Sequence, residues 1–325
     1  MRRAAFPVAA FVVLGVGVMA LPAFVSDFRA QQLAYVAIYL VALIGLNVLT
    51  GYTGQISLGH GAFMAIGGYT TAILMSDYGV KDVWTIPAAA VVTGLVGFLF
   101  GIPALRLSGL YLALATFAIA VAMPAVLKKF EGFTGGGSGI NLFGTPELTA
   151  SLTPVSLLGA ELSFNNWLYY LCWVVALVLY VLAWLLLRGR TGRAFRAVRD
   201  SETAAQSSGV SLPTYKTLAF AVSAAYAGVA GSLFAIATTF VNPDTFPITL
   251  SITLLVGVVV AGLGSLAGLI AGAIFIQFLP LWAQEISKSP GAPAVVYGVI
   301  LIATMFVLPM GVAGLLGRLK TLTKR

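Results

Sequence analysis

Long apolar runs recur from one end of the chain to the other, separated by short polar punctuation. A helix crossing hydrocarbon needs about 20 mostly apolar residues, and the pattern predicts ten such spans. They cover 5–25, 31–49, 60–75, 86–105 and 111–127, then 167–187, 218–240, 248–261, 266–282 and 293–308. The runs are continuous rather than alternating, which predicts helices and not the strands of an outer-membrane barrel. The expected fold class is all-α: a polytopic membrane protein with about ten transmembrane helices in a single transmembrane domain, 1–325.

Two hydrophilic stretches interrupt this pattern. The first, 128–166, contains Thr134-Gly135-Gly136-Gly137-Ser138-Gly139 and is expected to form an external loop or a cap over a pore mouth. The chain has no Gly-Lys dipeptide, so a phosphate-cradling P-loop is excluded. The second, 188–216, carries Arg188, Arg190, Arg193, Arg196 and Arg199; each arginine would cost roughly 3 kcal/mol in hydrocarbon, so a solvated cytoplasmic loop is expected. Within it, "RTGRAFRAVRDSETAAQSSGV" predicts one short amphipathic helix. Ala194, Ala197, Val198, Ala204 and Ala205 would form its small-residue stripe, with Arg193, Arg196 and Arg199 on other faces. Gly209 would stop this helix and Pro213 would prevent its extension. An ordinary charged linker fits the same residues.

Composition agrees with a membrane protein: 60% hydrophobic, 9% charged, mean hydropathy +1.01. With a cytoplasmic N-terminus, Arg29, Lys81, Lys128, Lys129 and Lys288 fall outside, and the other 13 of 18 basic residues fall inside, as the positive-inside rule requires. The net charge of +8 is therefore topological and indicates the lipid bilayer, with no nucleic-acid partner. The first span is read as retained rather than cleaved. Cys172, the lone cysteine, lies within a span and reads as a small buried apolar residue.

Polar residues enter the apolar pattern most densely at "GYTGQISLGHGAF", 51–63, which holds the only histidine, His60. The adjoining span, 60–75, is short, as is 248–261, and glycines cluster beside both. Short glycine-interrupted segments in matching halves of a transporter point to a substrate pathway, and Gln55, Ser57, His60 and Tyr69 are the candidate lining. Two plainer readings stand beside it: glycines that let helices pack closely, and a histidine hydrogen-bonded at a helix start. A metal site at His60 is excluded by the lack of a second ligand nearby in sequence. No span carries an Asp, Glu, Lys or Arg at mid-helix, so neither an ion-coupled carrier nor an enzyme is indicated. The expectation is no catalytic residue, no metal and no cofactor, and uphill transport would need energy from a partner. A facilitator or channel acting alone, or a membrane scaffold, would need none.

Six blocks narrow this further. "NVLTGYTGQISLGHGAFMAIGGYT", "LRLSGLYLALATFAIA", "FTGGGSGI", "GRTGRAFRAVRDSETAAQSSGV", "LAFAVSAAYAGVAGSLFA" and "GLGSLAGLIAGAI" resemble, in order, the signature blocks of the second permease subunit of branched-chain amino acid ABC importers. They span Asn47 to Ile274. The stretch from Glu202 to Gly209 resembles the E-A-A-x-x-x-G loop of ABC importer permeases, with one extra residue after the glutamate. The resemblance implies a fold similar to that of vitamin-B12-type importers, with two inverted repeats. It also implies a paralogous permease partner, two cytoplasmic ATPases that bind the ATP, a periplasmic solute-binding protein and a location in the bacterial inner membrane. By the same resemblance, Arg193, Arg196, Glu202, Ala204, Ala205 and Gly209 would form the ATPase-coupling loop. Leucine, isoleucine and valine are the implied substrates; urea, short amides or other amino acids are alternatives within the same class.

Overall fold

Helices overlie nine of the ten predicted segments in the computed structural model, which describes residues 25–107, 109–143, 163–286, 292–307 and 311–314. The predicted first span, except for Val25, lies outside the described residues, as does the whole stretch 144–162. In chain order the helices are α1 (Asp27–Leu46), α2 (His60–Ser76), α3 (Asp82–Ala104), α4 (Gly109–Lys129), α5 (Glu131–Thr134), α6 (Phe164–Arg188), α7 (Arg190–Asp200), α8 (Glu202–Ser207), α9 (Leu212–Thr238), α10 (Ile248–Ala261), α11 (Leu269–Ile286) and α12 (Ala292–Val307). Among the described residues, six segments are both long and apolar enough to cross a membrane, including α1, α3, α4, α6 and α9. The chain is thus a mostly helical, multi-pass membrane protein.

Two helices form the centre. α1 is apolar on every side, and Ala34, Ala37, Ile38, Val41, Leu43 and Ile44 are all fully buried. α9 is buried almost throughout, packing mainly against α2 and α3. The peripheral helices behave differently. α3 exposes Val91, Leu95, Leu99 and Ile102, and α6 exposes Val174, Val178, Leu182 and Leu185, in each case at helical spacing. Such stripes would be a liability in water and suit hydrocarbon.

Close contact at the centre depends on small residues. A Cβ at Gly231 on α9 would overlap the Met64 carbonyl of α2, and one at Gly67 on α2 would overlap Gly228 of α9. Across the other face of α9, a Cβ at Gly228 would lie 2.5 Å from Thr93 Oγ1 of α3. Helices that gain no hydrophobic drive from lipid associate through close backbone approach of this kind. A buried side-chain pair, Thr71 Oγ1 donating to Ser232 Oγ at 2.6 Å, joins α2 to α9 as well.

The polar connections sort to two ends. At one end, Ile140–Asn141 (β1) pairs antiparallel with Phe240–Val241 (β2), in the register Ile140 with Val241. Lys128 lies 3.1 Å from Asp244 beside it, and Ser163 Oγ donates to Asp27 Oδ1 at 3.1 Å. The segment 128–143 is therefore a short ordered cap rather than an open loop. At the opposite end lie residues 53–59, the 188–212 segment and the turn 262–266.

The 188–216 stretch departs from the predicted solvated loop with one helix. α6 continues to Arg188, and two helices follow, α7 and α8, broken at Ser201, whose backbone is extended (φ −163°, ψ 118°). The break follows from capping, because the Ser201 hydroxyl accepts the Ala204 N–H at 3.3 Å and so starts a new helix. Pro213 occupies the first turn of α9, where its missing N–H costs nothing, so it begins a helix rather than merely blocking one. Lys216 is not solvated; it is 5% exposed.

Gly231→Val is expected to lower the thermal unfolding midpoint of the detergent-purified chain, by the roughly 1–3 kcal/mol typical of overpacking or more. Gly132→Ala, where an added Cβ meets nothing within 4 Å, should change stability by less than about 0.5 kcal/mol.

Candidate functional site

The end that carries 53–59, 188–212 and 262–266 gathers almost all the chemistry singled out in the sequence. α1 does not stop cleanly there. It widens into a π-helical turn, Asn47–Tyr52, and then gives way to the irregular segment 54–59 before α2 begins at His60. A π-turn inside an apolar helix loosens the regular hydrogen-bond ladder, and the backbone groups it frees are met by neighbouring side chains.

The irregular segment is fastened on all sides. The Gln55 N–H donates to the Leu49 carbonyl at 3.1 Å, and Thr50 Oγ1 donates to the Gln55 carbonyl at 3.2 Å. Gln55 Nε2 donates to Thr53 Oγ1 at 3.1 Å, and the Gly59 N–H donates to Ser57 Oγ at 3.3 Å. Two contacts reach other helices: the Leu58 N–H donates to Thr116 Oγ1 of α4 at 2.9 Å, and the Gly61 N–H to Ser251 Oγ of α10 at 2.8 Å. The latter satisfies one of the free donors in the first turn of α2.

Gln55, Ser57, His60 and Tyr69 are all buried inside the subunit, at 6%, 1%, 1% and 3% exposure. Gln55 and Ser57 serve the loop itself. His60 packs against α1, beside Ala42 and Gly45, and Tyr69 lies further along α2; the structure brings neither to the other. Among the described residues, His60 Nε2 and the Tyr69 hydroxyl have no hydrogen-bond partner. The side chain of the segment that is exposed is Ile56, at 43%. Close by, Phe63, Phe100, Leu112, Thr116 and Phe220 help line an apolar cavity of about 90 Å³ between α2, α3, α4 and α9.

The elbow formed by α7 and α8 is seated by its apolar side. Phe195 is fully buried and meets Tyr215 edge-to-face, with ring centroids 6.3 Å apart, and Ala194 and Val198 are buried beside it. Arg193 and Arg196 are exposed, and Arg196 Nη1 donates to the Leu187 carbonyl at 3.2 Å, capping the end of α6. On α8, Ala204 is exposed but Ala205 is 2% exposed, so only the second alanine is turned toward the body of the protein. Glu202 pairs with the nearly buried Lys216 at 2.6 Å. α8 ends in a Schellman arrangement: the Val210 N–H bonds the Ala205 carbonyl, the Gly209 N–H bonds the Gln206 carbonyl, and Gly209 takes the left-handed conformation (φ 83°) that other residues resist.

Sequence reasoning missed Asn47, Thr116, Phe195 and Ser251. Asn47 had a signal: an amide inside a long apolar run must find partners. It has them across 217 residues, its Oδ1 accepting the Gly264 N–H at 2.9 Å and its Nδ2 donating to the Ser265 carbonyl at 3.2 Å. Arg199 Nη1 joins the same knot, donating to the Gly51 carbonyl at 2.7 Å. Among the described residues no group of three His, Cys, Asp or Glu is placed to hold a metal ion.

The chain matches a family model, "Branched-chain amino acid transport system / permease component", over residues 29–308. It is similar to the high-affinity branched-chain amino acid transport system permease protein LivM of Salmonella typhimurium, 36% identical over 273 residues, and to LivM of Escherichia coli, 37% identical over 273 residues. Each of these matches covers 79% of this chain and 64% of the relative, so the chain spans less than two thirds of the length of either LivM. A probable branched-chain amino acid permease, LivH of Methanocaldococcus jannaschii, is 25% identical over 85% of this chain and 89% of its own length. No solved structure matches.

Glu202→Gln leaves the Lys216 ammonium nearly buried and without its counter-charge. The expected loss is roughly 1–3 kcal/mol, less than for a fully buried pair because Glu202 is half exposed. Adding Lys216→Met, which removes the charge and keeps the apolar stem, should restore most of that loss in thermal denaturation of the purified protein.

Proposed function

The chain belongs to the branched-chain amino acid transport permease family, and on that premise we propose that it is a membrane subunit of an ATP-binding-cassette importer for leucine, isoleucine and valine. The observation that carries this reading is the family match across 29–308, nearly the whole described membrane domain. In this reading the chain is a transport subunit, not an enzyme. It has about ten transmembrane helices in two inverted repeats, as in vitamin-B12-type importers, and sits in the inner membrane with both termini cytoplasmic. It forms the path together with a paralogous permease, receives solute from a periplasmic binding protein, and is driven by two cytoplasmic ATPases that bind the ATP.

The geometry supports a division of labour between its ends. The end carrying the arginine-rich elbow faces the ATPases, and the exposed side of α8, with Ala204 and Gln206, is the docking surface. Glu202, Ala205 and Gly209 shape that surface from beneath, through an ion pair, a buried contact and a helix stop. Gln55, Ser57, His60 and Tyr69 act by holding the 54–59 segment and α2 beside the path.

Reconstituted with these partners in liposomes, the chain should import radiolabelled leucine only when ATP is supplied. Leucine flux through liposomes containing the chain alone would identify an ATP-independent facilitator and overturn the reading.

The docking surface gives a sharper contrast. Ala204→Trp should reduce co-purification of the ATPase and uptake while leaving thermal stability within about 0.5 kcal/mol, as for an exposed site. Ala205→Trp should lower stability itself, since its methyl group is already enclosed.

A further inference from the structure

The two glycine clusters that flank the short spans 60–75 and 248–261 meet in space, and the residue at which they meet is an arginine of the elbow. Arg199, the penultimate residue of α7, lays its guanidinium on the Gly51 carbonyl at 2.7 Å. That carbonyl belongs to the π-turn at the end of α1, where unpaired C=O groups favour a cation. Gly264, in the turn after α10, comes so close that an added Cβ would lie 2.7 Å from Arg199 Nη1 and 3.2 Å from the Gly51 carbonyl oxygen. Gly54 lies on the aliphatic part of the same side chain, where a Cβ would be 3.4 Å from Arg199 Cγ. Asn47 closes the ring by bonding both Gly264 and Ser265.

Arg199 stays exposed along part of its side chain, yet its guanidinium is engaged by the Gly51 carbonyl. Here Gly264 and Gly54, from two distant segments, lie against one side chain, whose charged tip donates to the Gly51 carbonyl of the π-turn. α7 is itself held rigidly from behind by buried Phe195 and Val198. Displacement of the elbow therefore has a short, hydrogen-bonded route to the inner end of α1 and to the α10–α11 turn.

We propose that Arg199 is a positioning residue that ties the α7–α8 elbow to the Asn47–Gly54 and Gly262–Ser265 hinges, so that the three move as one body. The inference rests on the importer reading for its role in transport, but the tie itself can be tested without it. In the full-length chain in lipid nanodiscs, with Cys172→Ala, nitroxide labels at Gln206 and Leu263, both exposed, should give a narrow distance distribution. It should broaden in Arg199→Ala and stay narrow in Arg199→Lys, which keeps a cationic donor. Equal widths in the parent and Arg199→Ala would overturn the tie. In the assembled importer, Arg199→Ala should import about tenfold less solute per ATP hydrolysed, the size expected from losing one charge-assisted hydrogen bond, with Arg199→Lys largely restoring it. ATPase co-purification should be unchanged. Full coupling in Arg199→Ala, or loss of the ATPase from the complex, would refute the positioning role. Failure of the parent importer to use ATP at all would instead sink the functional reading and, with it, the transport role, while the nanodisc distances would still decide whether the tie exists.

Discussion

A peptide N–H or C=O released from a helix inside a bilayer finds no water, and must be paired by the protein itself at a penalty of several kcal/mol if it is not. The structure around residues 47–61 answers that constraint group by group. α1 opens into a π-turn, the chain leaves helical geometry from Gly54 to Gly59, Thr50 supplies a partner from within the segment, and Thr116, Ser251 and Arg199 supply partners from α4, α10 and α7. Remove these side chains and buried backbone groups of the irregular segment lose their partners. The polar residues within this apolar stretch are thus first of all the means by which a broken helix is kept in a membrane protein.

The same constraint explains the composition of the centre. Because lipid tails are as apolar as leucine, nothing is gained by merely collecting large side chains, and contact energy comes from close approach of backbones. α9 is built for this, with Gly228 and Gly231 meeting α2 and α3 at distances that admit no methyl group. A rigid centre of α1, α2, α3 and α9 results. The elbow at one end and the small β1–β2 cap at the other are attached to it through defined polar contacts rather than by loose loops, and a rigid body of this kind can pass movement at one end to hinges elsewhere.

The helical segments were legible because they depend only on local hydropathy, and nine of the ten predicted spans coincide with described helices. The elbow was half legible. Its amphipathic pattern grouped Ala194, Ala197, Val198, Ala204 and Ala205 as one stripe, and Gly209 was marked as a stop from one residue's backbone preference. Of that stripe, Ala194, Val198 and Ala205 are buried, while Ala197 is half-buried and Ala204 exposed. The break at Ser201 was hidden, since a serine cap competes with continued helix on terms set by what each half packs against. Ala204 and Ala205 looked alike in sequence, yet one is exposed and the other buried.

What the sequence determined by itself was the solvent of each segment: a chain this apolar, with its arginines gathered in one stretch, must form membrane helices and must keep that stretch out of the hydrocarbon. Family membership is legible in the sequence as well, through the family match across residues 29–308. Only the tertiary structure decided which polar atoms satisfy one another. Asn47 and Gly264 are separated by 217 residues, and Arg199 and Gly51 by 148. Those partnerships arise because α1, α7 and the α10–α11 turn end at the same side of the bundle, and no local pattern encodes the packing that places them there.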